Sequence, residues 1–206
     1  MSPASSSAPE ARIALFGGTF DPIHNAHLAV AGEAASRLGL ERILFVPAAN
    51  PPHKPGAAIA SWEDRVRMAE LASAADSRFE VSRIEEHANP SYSIDTIEKL
   101  LARGTGPLAF LIGADAFADI CTWRRWQDVV RLVEFIVVTR PGSNYNAPPG
   151  ARVFELSGLD LPVSSSAIRD GIARGASDLP VPPAVLRYIR EHGLYAASAR
   201  QSAPEA

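Results

Sequence analysis

Two histidines three residues apart, His24 and His27, close the stretch Gly17-Gly18-Thr19-Phe20-Asp21-Pro22-Ile23-His24-Asn25-Ala26-His27. Side chains at i and i+3 of a helix share a face, so both imidazoles can address one anionic group. The free N–H groups and positive dipole end of a helix start favour phosphate at the same place. Gly17 and Gly18 follow an apolar run, where glycine permits positive φ and close approach of backbone to a ligand. With Thr19 and Phe20 they form a candidate nucleotide-binding turn. The stretch is neither GxGxxG nor GxxxxGK[ST], so it is not a dinucleotide fingerprint or a P-loop. A plainer role also fits the histidines, with one imidazole bonding backbone and the other in solvent. Zinc would need further His, Cys or carboxylate ligands. No partner motif accompanies the pair, so no protein metal site is expected.

A second cluster, Val163-Ser164-Ser165-Ser166-Ala167-Ile168-Arg169, lies most of the chain away. Three hydroxyls beside fresh helix N–H groups make an anion nest, and Arg169 one turn later adds charge. Alone, it would equally be a serine cap with a solvated arginine. Between the clusters lie further groups able to bind. Asn50, His53 and Lys54 stand on a proline-stiffened loop and suit a mononucleotide phosphate, or are simply solvated. Tyr92 and Ser93 at a helix start offer N–H and hydroxyl to a carboxylate. Trp123 can stack on a flat ring, while Trp126 is the better core candidate. Gly113 and Asp115 end a strand, with Asp115 accepting ribose hydroxyls or capping a helix. Arg140, also at a strand end, reaches a phosphate or pairs with an acid. Cys121 reads as a buried or half-buried residue of no special role. His87 and His192 read as surface positions, and Arg124-Arg125 as a solvated helix face.

The elements that must hold these groups alternate. Strands are expected at 12–16, 42–46, 79–81, 107–112, 135–139 and 153–154. Helices are expected from Leu28 to Leu38, closed by Gly39, and from Ser61 to Ala75. Others run along a face of Ile94, Ile97 and Leu101 with Ser93 as cap, from Ser164 to Ile172, and from Pro182-Pro183 to His192. This alternation predicts an α/β fold, a Rossmann-like doubly wound parallel sheet with helices on both faces. Right-handed crossovers deliver every loop after a strand to one sheet edge, where such folds bind ligands. Residues 11–196 should form a single domain, with 1–10 and 197–206 as tails.

The 206 residues are 47% apolar and 21% charged, with a net charge of −3, which excludes disorder for the bulk. No apolar run reaches the roughly 18 residues of a membrane span, so no membrane partner is expected. The first residues lack the basic and apolar regions of a secretory leader. A single cysteine fits a reducing cytoplasm. Mild acidity argues against a nucleic-acid partner. Of 20 basic residues 18 are arginines, a bias of genomic rather than functional origin.

Gly17 to His27 resembles the HxGH-type signature of the nucleotidyltransferase superfamily, with Ala26 where the family usually has glycine. Val163 to Arg169 resembles its ISSTxIR motif. Pro47 to Lys54, Ser91 to Thr96, Gly113 to Asp115, Trp123 and Arg140 to Gly142 together resemble the bacterial nicotinate mononucleotide adenylyltransferases, over residues 11–194. The resemblance implies transfer of AMP from ATP to nicotinate mononucleotide in NAD biosynthesis, giving deamido-NAD and pyrophosphate without a covalent intermediate. It assigns His24, His27 and Arg169 to catalysis. ATP would meet Gly17, Gly18, Thr19, Phe20, Gly113, Asp115, Ser165 and Ser166, and the mononucleotide Asn50, His53, Lys54, Tyr92, Ser93, Trp123 and Arg140. Mg²⁺ would arrive with ATP. The alternatives are an adenylyltransferase for nicotinamide mononucleotide or phosphopantetheine, and a nucleotide-binding protein without activity. An aminoacyl-tRNA synthetase fragment fails on length and on the missing basic surface. Oligomeric state stays open, a homo-oligomer included.

Overall fold

A computed structural model describes residues 9–50, 59–159 and 161–196. Six parallel strands form one sheet in the order β3-β2-β1-β4-β5-β6. They are β1 (Ile13–Gly18), β2 (Arg42–Pro47), β3 (Phe79–Val81), β4 (Leu108–Gly113), β5 (Val133–Val138) and β6 (Arg152–Leu156). The order reverses between β1 and β4, and the crevice at such a switch point is where doubly wound sheets bind ligands.

Alternation along the strands sorts side chains into two cores. From β1 and β2, Ala14, Ile43 and Phe45 enter one core, and Ile13, Leu15, Leu44 and Val46 the other. On the first face pack α1 (Asn25–Leu38), α2 (Trp62–Ser73), α6 (Ser165–Ala173) and α7 (Pro183–Glu191), through Ala31, Ala35, Met68, Ile168 and Ile189. On the second pack α3 (Ser93–Ala102), α4 (Ala114–Ala118) and α5 (Trp126–Leu132), through Ile94, Ile97, Leu100, Phe117 and Val129. Complete burial of each larger apolar side chain contributes about 1.5–3 kcal/mol. The doubly wound α/β fold expected from sequence is therefore the observed one.

Local signals account for most boundaries. Gly39 ends α1 in the left-handed conformation at φ 66°. The Ser61 hydroxyl accepts from the Asp64 N–H at 3.1 Å and opens α2. Other expectations shift. Tyr92, not Ser93, is the cap of α3, and Ser93 is its first residue. Leu100 takes the fully buried place on that helix, with Leu101 half-buried beside it. Gly17 and Gly18 belong to β1, and neither has positive φ. The left-handed residue is Phe20, at φ 50°. Its ring folds back so that a Cβ on Gly18 would lie 2.9 Å from it, so the glycine is there for space rather than for rotation.

Arg124-Arg125 is not a helix face. Arg125 caps α5 in the left-handed region and pairs with Glu98 and Asp128, while Arg124 lies over the Tyr92 ring, 4.5 Å from its centroid. Trp126 is only half-buried, as Trp123 is, because α5 starts at the rim of the layer. Cys121 is exposed rather than buried, on a 3₁₀ turn over Ile120–Thr122. His87 and His192 are exposed as expected. Pro9, inside the stretch expected as a tail, is buried next to Ala11, whose N–H donates to the buried Glu134 carboxylate at 3.0 Å.

Candidate active site

A cavity of about 530 Å³ opens at the carboxyl edge of β1, β4 and β5. Its size suits a nucleotide. Its walls carry Thr19 from the loop after β1, His24, Ala26 and His27 from the start of α1, and Gly113, Ala114 and Asp115 from the end of β4. Arg140 follows β5, and Ser164, Ser165, Ser166 and Arg169 come from the start of α6. The two motifs most distant in sequence thus face the same space.

Direct bonds hold them together. The Ser165 hydroxyl donates to the Pro22 carbonyl at 2.9 Å, and Arg169 Nη1 donates to the Asp21 carbonyl at 2.7 Å. Arg169 Nη2 reaches the Ser166 hydroxyl at 3.2 Å, and the Asn25 N–H reaches the Pro180 carbonyl at 2.9 Å. Ser164 spends its hydroxyl capping Ala167 N–H. Arg169 is therefore docked rather than solvated.

The imidazoles stack with centroids 3.7 Å apart. The His24 backbone N–H donates to His27 Nδ1 at 3.2 Å, so the ring that bonds backbone also lines the cavity. That bond requires a lone pair on Nδ1 and leaves the proton of a neutral ring on Nε2. Burial lowers the His27 pKa to about 3, with a smaller push from His24. Burial and then the positive charge of Arg140 lower His24 to about 4. Both rings are neutral donors at physiological pH. His24 is 5% exposed, and its Nδ1 is buried without a partner among the described residues.

Most other expected groups are elsewhere. Gly17, Gly18 and Phe20 do not line the cavity, and Phe20 is a core residue, its ring edge-on to His27 at 5.1 Å. Asp115 is the second residue of α4 behind the cap Gly113, exposed on the cavity wall. Asn50, Tyr92, Ser93 and Trp123 stand away from this cavity. Trp123 packs edge-on to Phe110 at 5.8 Å. His53 and Lys54 lie outside the described residues. Among the described residues no three His, Cys, Asp or Glu side chains are gathered for a metal ion.

Sequence reasoning missed two supports. Asp21, 3% exposed, accepts from Ile59 N–H at 2.8 Å, Ala60 N–H at 3.2 Å and the Tyr195 hydroxyl at 2.6 Å. Arg65, 1% exposed, donates to the carbonyls of Thr19 at 2.7 Å and Ala48 at 2.8 Å. One guanidinium thereby ties the loop after β1 to the loop after β2. A charged residue on the apolar face shared with Ala69 and Ala72 was its sequence signal.

The cytidylyltransferase-like family model matches residues 15–171. A "Probable nicotinate-nucleotide adenylyltransferase" of Solibacter usitatus is 58% identical over 187 residues, covering 89% of this chain and 99% of that one. A protein of the same name from Neisseria meningitidis is 41% identical, covering 89% and 98%. The Plasmodium falciparum nicotinic acid mononucleotide adenylyltransferase complexed with NaAD superposes with a TM-score of 0.75 at 20% identity, covering 90% of this chain and 97% of that one. The same protein complexed with APC gives 0.73. At that identity the likeness establishes the fold. Sequence coverage and the family model establish more: the chain belongs to the nicotinate-nucleotide adenylyltransferases, within the cytidylyltransferase-like family.

Proposed function

We propose that this protein transfers AMP from ATP to nicotinate mononucleotide by direct in-line displacement. A phosphate oxygen of the mononucleotide bonds to the α-phosphorus of ATP, the bond from that phosphorus to the bridging oxygen breaks, and pyrophosphate leaves. The observation that supports this most is the convergence of the α1 and α6 starts on one cavity, tied by the Ser165–Pro22 and Arg169–Asp21 bonds. Phosphoryl-type transfer asks mainly for positioning and charge stabilisation, which preorganised donors supply.

In this reading His27 offers Nε2–H to the α-phosphate and its bridging oxygen, and His24 stacks beside it as the second donor. Arg169 and the free N–H groups of α6 hold the β- and γ-phosphates. The Ser165 and Ser166 hydroxyls contribute chiefly by fixing that helix start. Arg140 adds positive charge at the rim, and Asp115 accepts from the ribose. The loop after β2, with Asn50, His53 and Lys54, takes the acceptor's phosphate. Tyr92, Ser93 and Trp123 take its pyridine ring and carboxylate. Mg²⁺ delivered with ATP would supply neutralisation of the phosphate charge. Asp21 on the cavity wall is engaged by three donors, and among the described residues no three His, Cys, Asp or Glu side chains are gathered to compete for the ion. A cytoplasmic setting suits these substrates.

Pyrophosphate release tests the reading. With ATP and Mg²⁺ it should appear with nicotinate mononucleotide, and far more slowly with nicotinamide mononucleotide or phosphopantetheine. Preference for either of those would replace the acceptor. ATP binding with no release from any acceptor would leave only a nucleotide-binding role.

A further inference from the structure

Glu85 lies between β3 and α3, is 7% exposed, and belongs to none of the motifs. Its Oε1 accepts from the Thr96 hydroxyl at 2.6 Å, and Thr96 sits on the first turn of α3 behind Tyr92 and Ser93. Its Oε2 is buried with no hydrogen bond among the described residues. Burial pushes its pKa up, while the hydroxyls of Thr96 and Ser91, the Ala49 N–H and the charge of Lys99 pull it back. Ser91 in turn pairs twice with Asn50. The Asn50 N–H donates to the Ser91 hydroxyl at 3.0 Å, and the Ser91 N–H donates to the Asn50 carbonyl at 2.8 Å.

One buried carboxylate therefore sits where three segments meet: the loop after β2, the turn at Ser91 and the first turn of α3. Burying a carboxylate is unfavourable, and an apolar residue of similar shape would serve simple packing at least as well. What an apolar residue lacks is directed bonds that set one segment against another. We infer that Glu85 is a positioning residue for the acceptor, holding the Tyr92–Ser93 end of α3 in register with the Asn50 loop. The inference rests on the reading of Asn50, Tyr92 and Ser93 as acceptor groups. Glu85 and Thr96 do not line the ATP cavity, so its action is confined to one substrate.

The test is a steady-state comparison of wild type, Glu85→Ala, Glu85→Gln and Thr96→Val, each first checked for an unaltered far-UV spectrum. Glu85→Ala should raise KM for nicotinate mononucleotide on the order of 10-fold, with kcat and KM for ATP within about two-fold. Glu85→Gln keeps the length and an acceptor oxygen for Thr96 and should recover most of that loss. Thr96→Val removes a single donor and should shift the same constant by less, and it carries the test if the alanine variant does not fold. Equal damage to kcat and both KM values, an unchanged acceptor KM, or a glutamine variant no better than alanine would overturn the inference. If wild type prefers the amide mononucleotide, the substrate reading fails separately, and the Glu85 split is then read with that acceptor.

Discussion

The two halves that the proposed reaction gives the site, one for ATP and one for the acceptor, are built differently. On the ATP side, groups nearly 150 residues apart bond directly: Arg169 to the Asp21 carbonyl, Ser165 to the Pro22 carbonyl. The helix starts, the stacked histidines and the arginine already surround one cavity. The groups proposed for the acceptor stand on separate segments, which two bonded pairs relate: Thr96 on α3 to the buried Glu85, and Ser91 to Asn50 of the loop after β2. The contrast follows from what each half must do. Charge developing on transferring phosphate is stabilised only by donors already in place, because reorganising them would raise the barrier. Selecting an acceptor needs complementary groups on binding, which separate segments joined by such pairs can supply.

The largest effect should come from breaking the ATP side. His27→Ala, with folding kept, should lower turnover on the order of 100- to 1,000-fold, the usual cost of removing one preorganised donor. A stably folded variant with unchanged turnover would remove the histidine from the chemistry. The acceptor side should instead show itself as selectivity. Wild type should favour nicotinate over nicotinamide mononucleotide in kcat/KM by about 100-fold or more, because the amide would leave donors at the Tyr92–Ser93 helix start unpaired. Arg124→Ala sharpens this: its guanidinium over Tyr92 places positive charge beside the α3 start. Its loss should narrow the ratio several-fold, roughly the effect of one exposed charge. An unchanged ratio would leave discrimination to the Tyr92–Ser93 backbone and hydroxyl.

The halves also differed in legibility. The ATP side is written in contiguous stretches, because a helix start brings its own N–H groups and needs only nearby side chains to complete it. Spacing therefore singles out His24, His27 and Arg169 as candidates, and the structure brings all three to one cavity. The docking of Ser165 and Arg169 onto Asp21 and Pro22 could not, since it depends on where α6 lands. Phe20 looked like a ligand-side residue, yet a left-handed turn sends its ring into the core and sets the size limit at Gly18. Glu85 gave no signal at all. Its partners lie at positions 91 and 96, and behind Ser91 at position 50. The first of two adjacent glutamates, Glu85-Glu86, looks like any solvated one.

The buried histidines bring a smaller, pH-dependent effect. In the folded protein their pKa values lie at about 4 and about 3, whereas the unfolded chain holds them near 6.5. Between pH 6.5 and about 4 the unfolded state binds more protons, so stability rises with pH across that window and is lost as pH falls through it. Each ring should cost about 1–2 kcal/mol on going from pH 7 to pH 5. Urea unfolding at the two values measures it. His27→Gln should lose correspondingly less over the same interval. An equal loss in both proteins would show that the ring is not held neutral by burial.

The smallest effect concerns Ala26, where the family usually has glycine. Ala26 is the second residue of α1, is 7% exposed and lines the ATP cavity. The helix begins around it with His24 extended at the cap. Alanine also favours the helix over glycine by about 0.5–1 kcal/mol. Ala26→Gly should therefore lower stability by about that amount in thermal melts and change KM for ATP by no more than about three-fold. A KM that fell ten-fold would mean that the methyl crowds the triphosphate and that the ATP side is less ready-made than its bonds suggest.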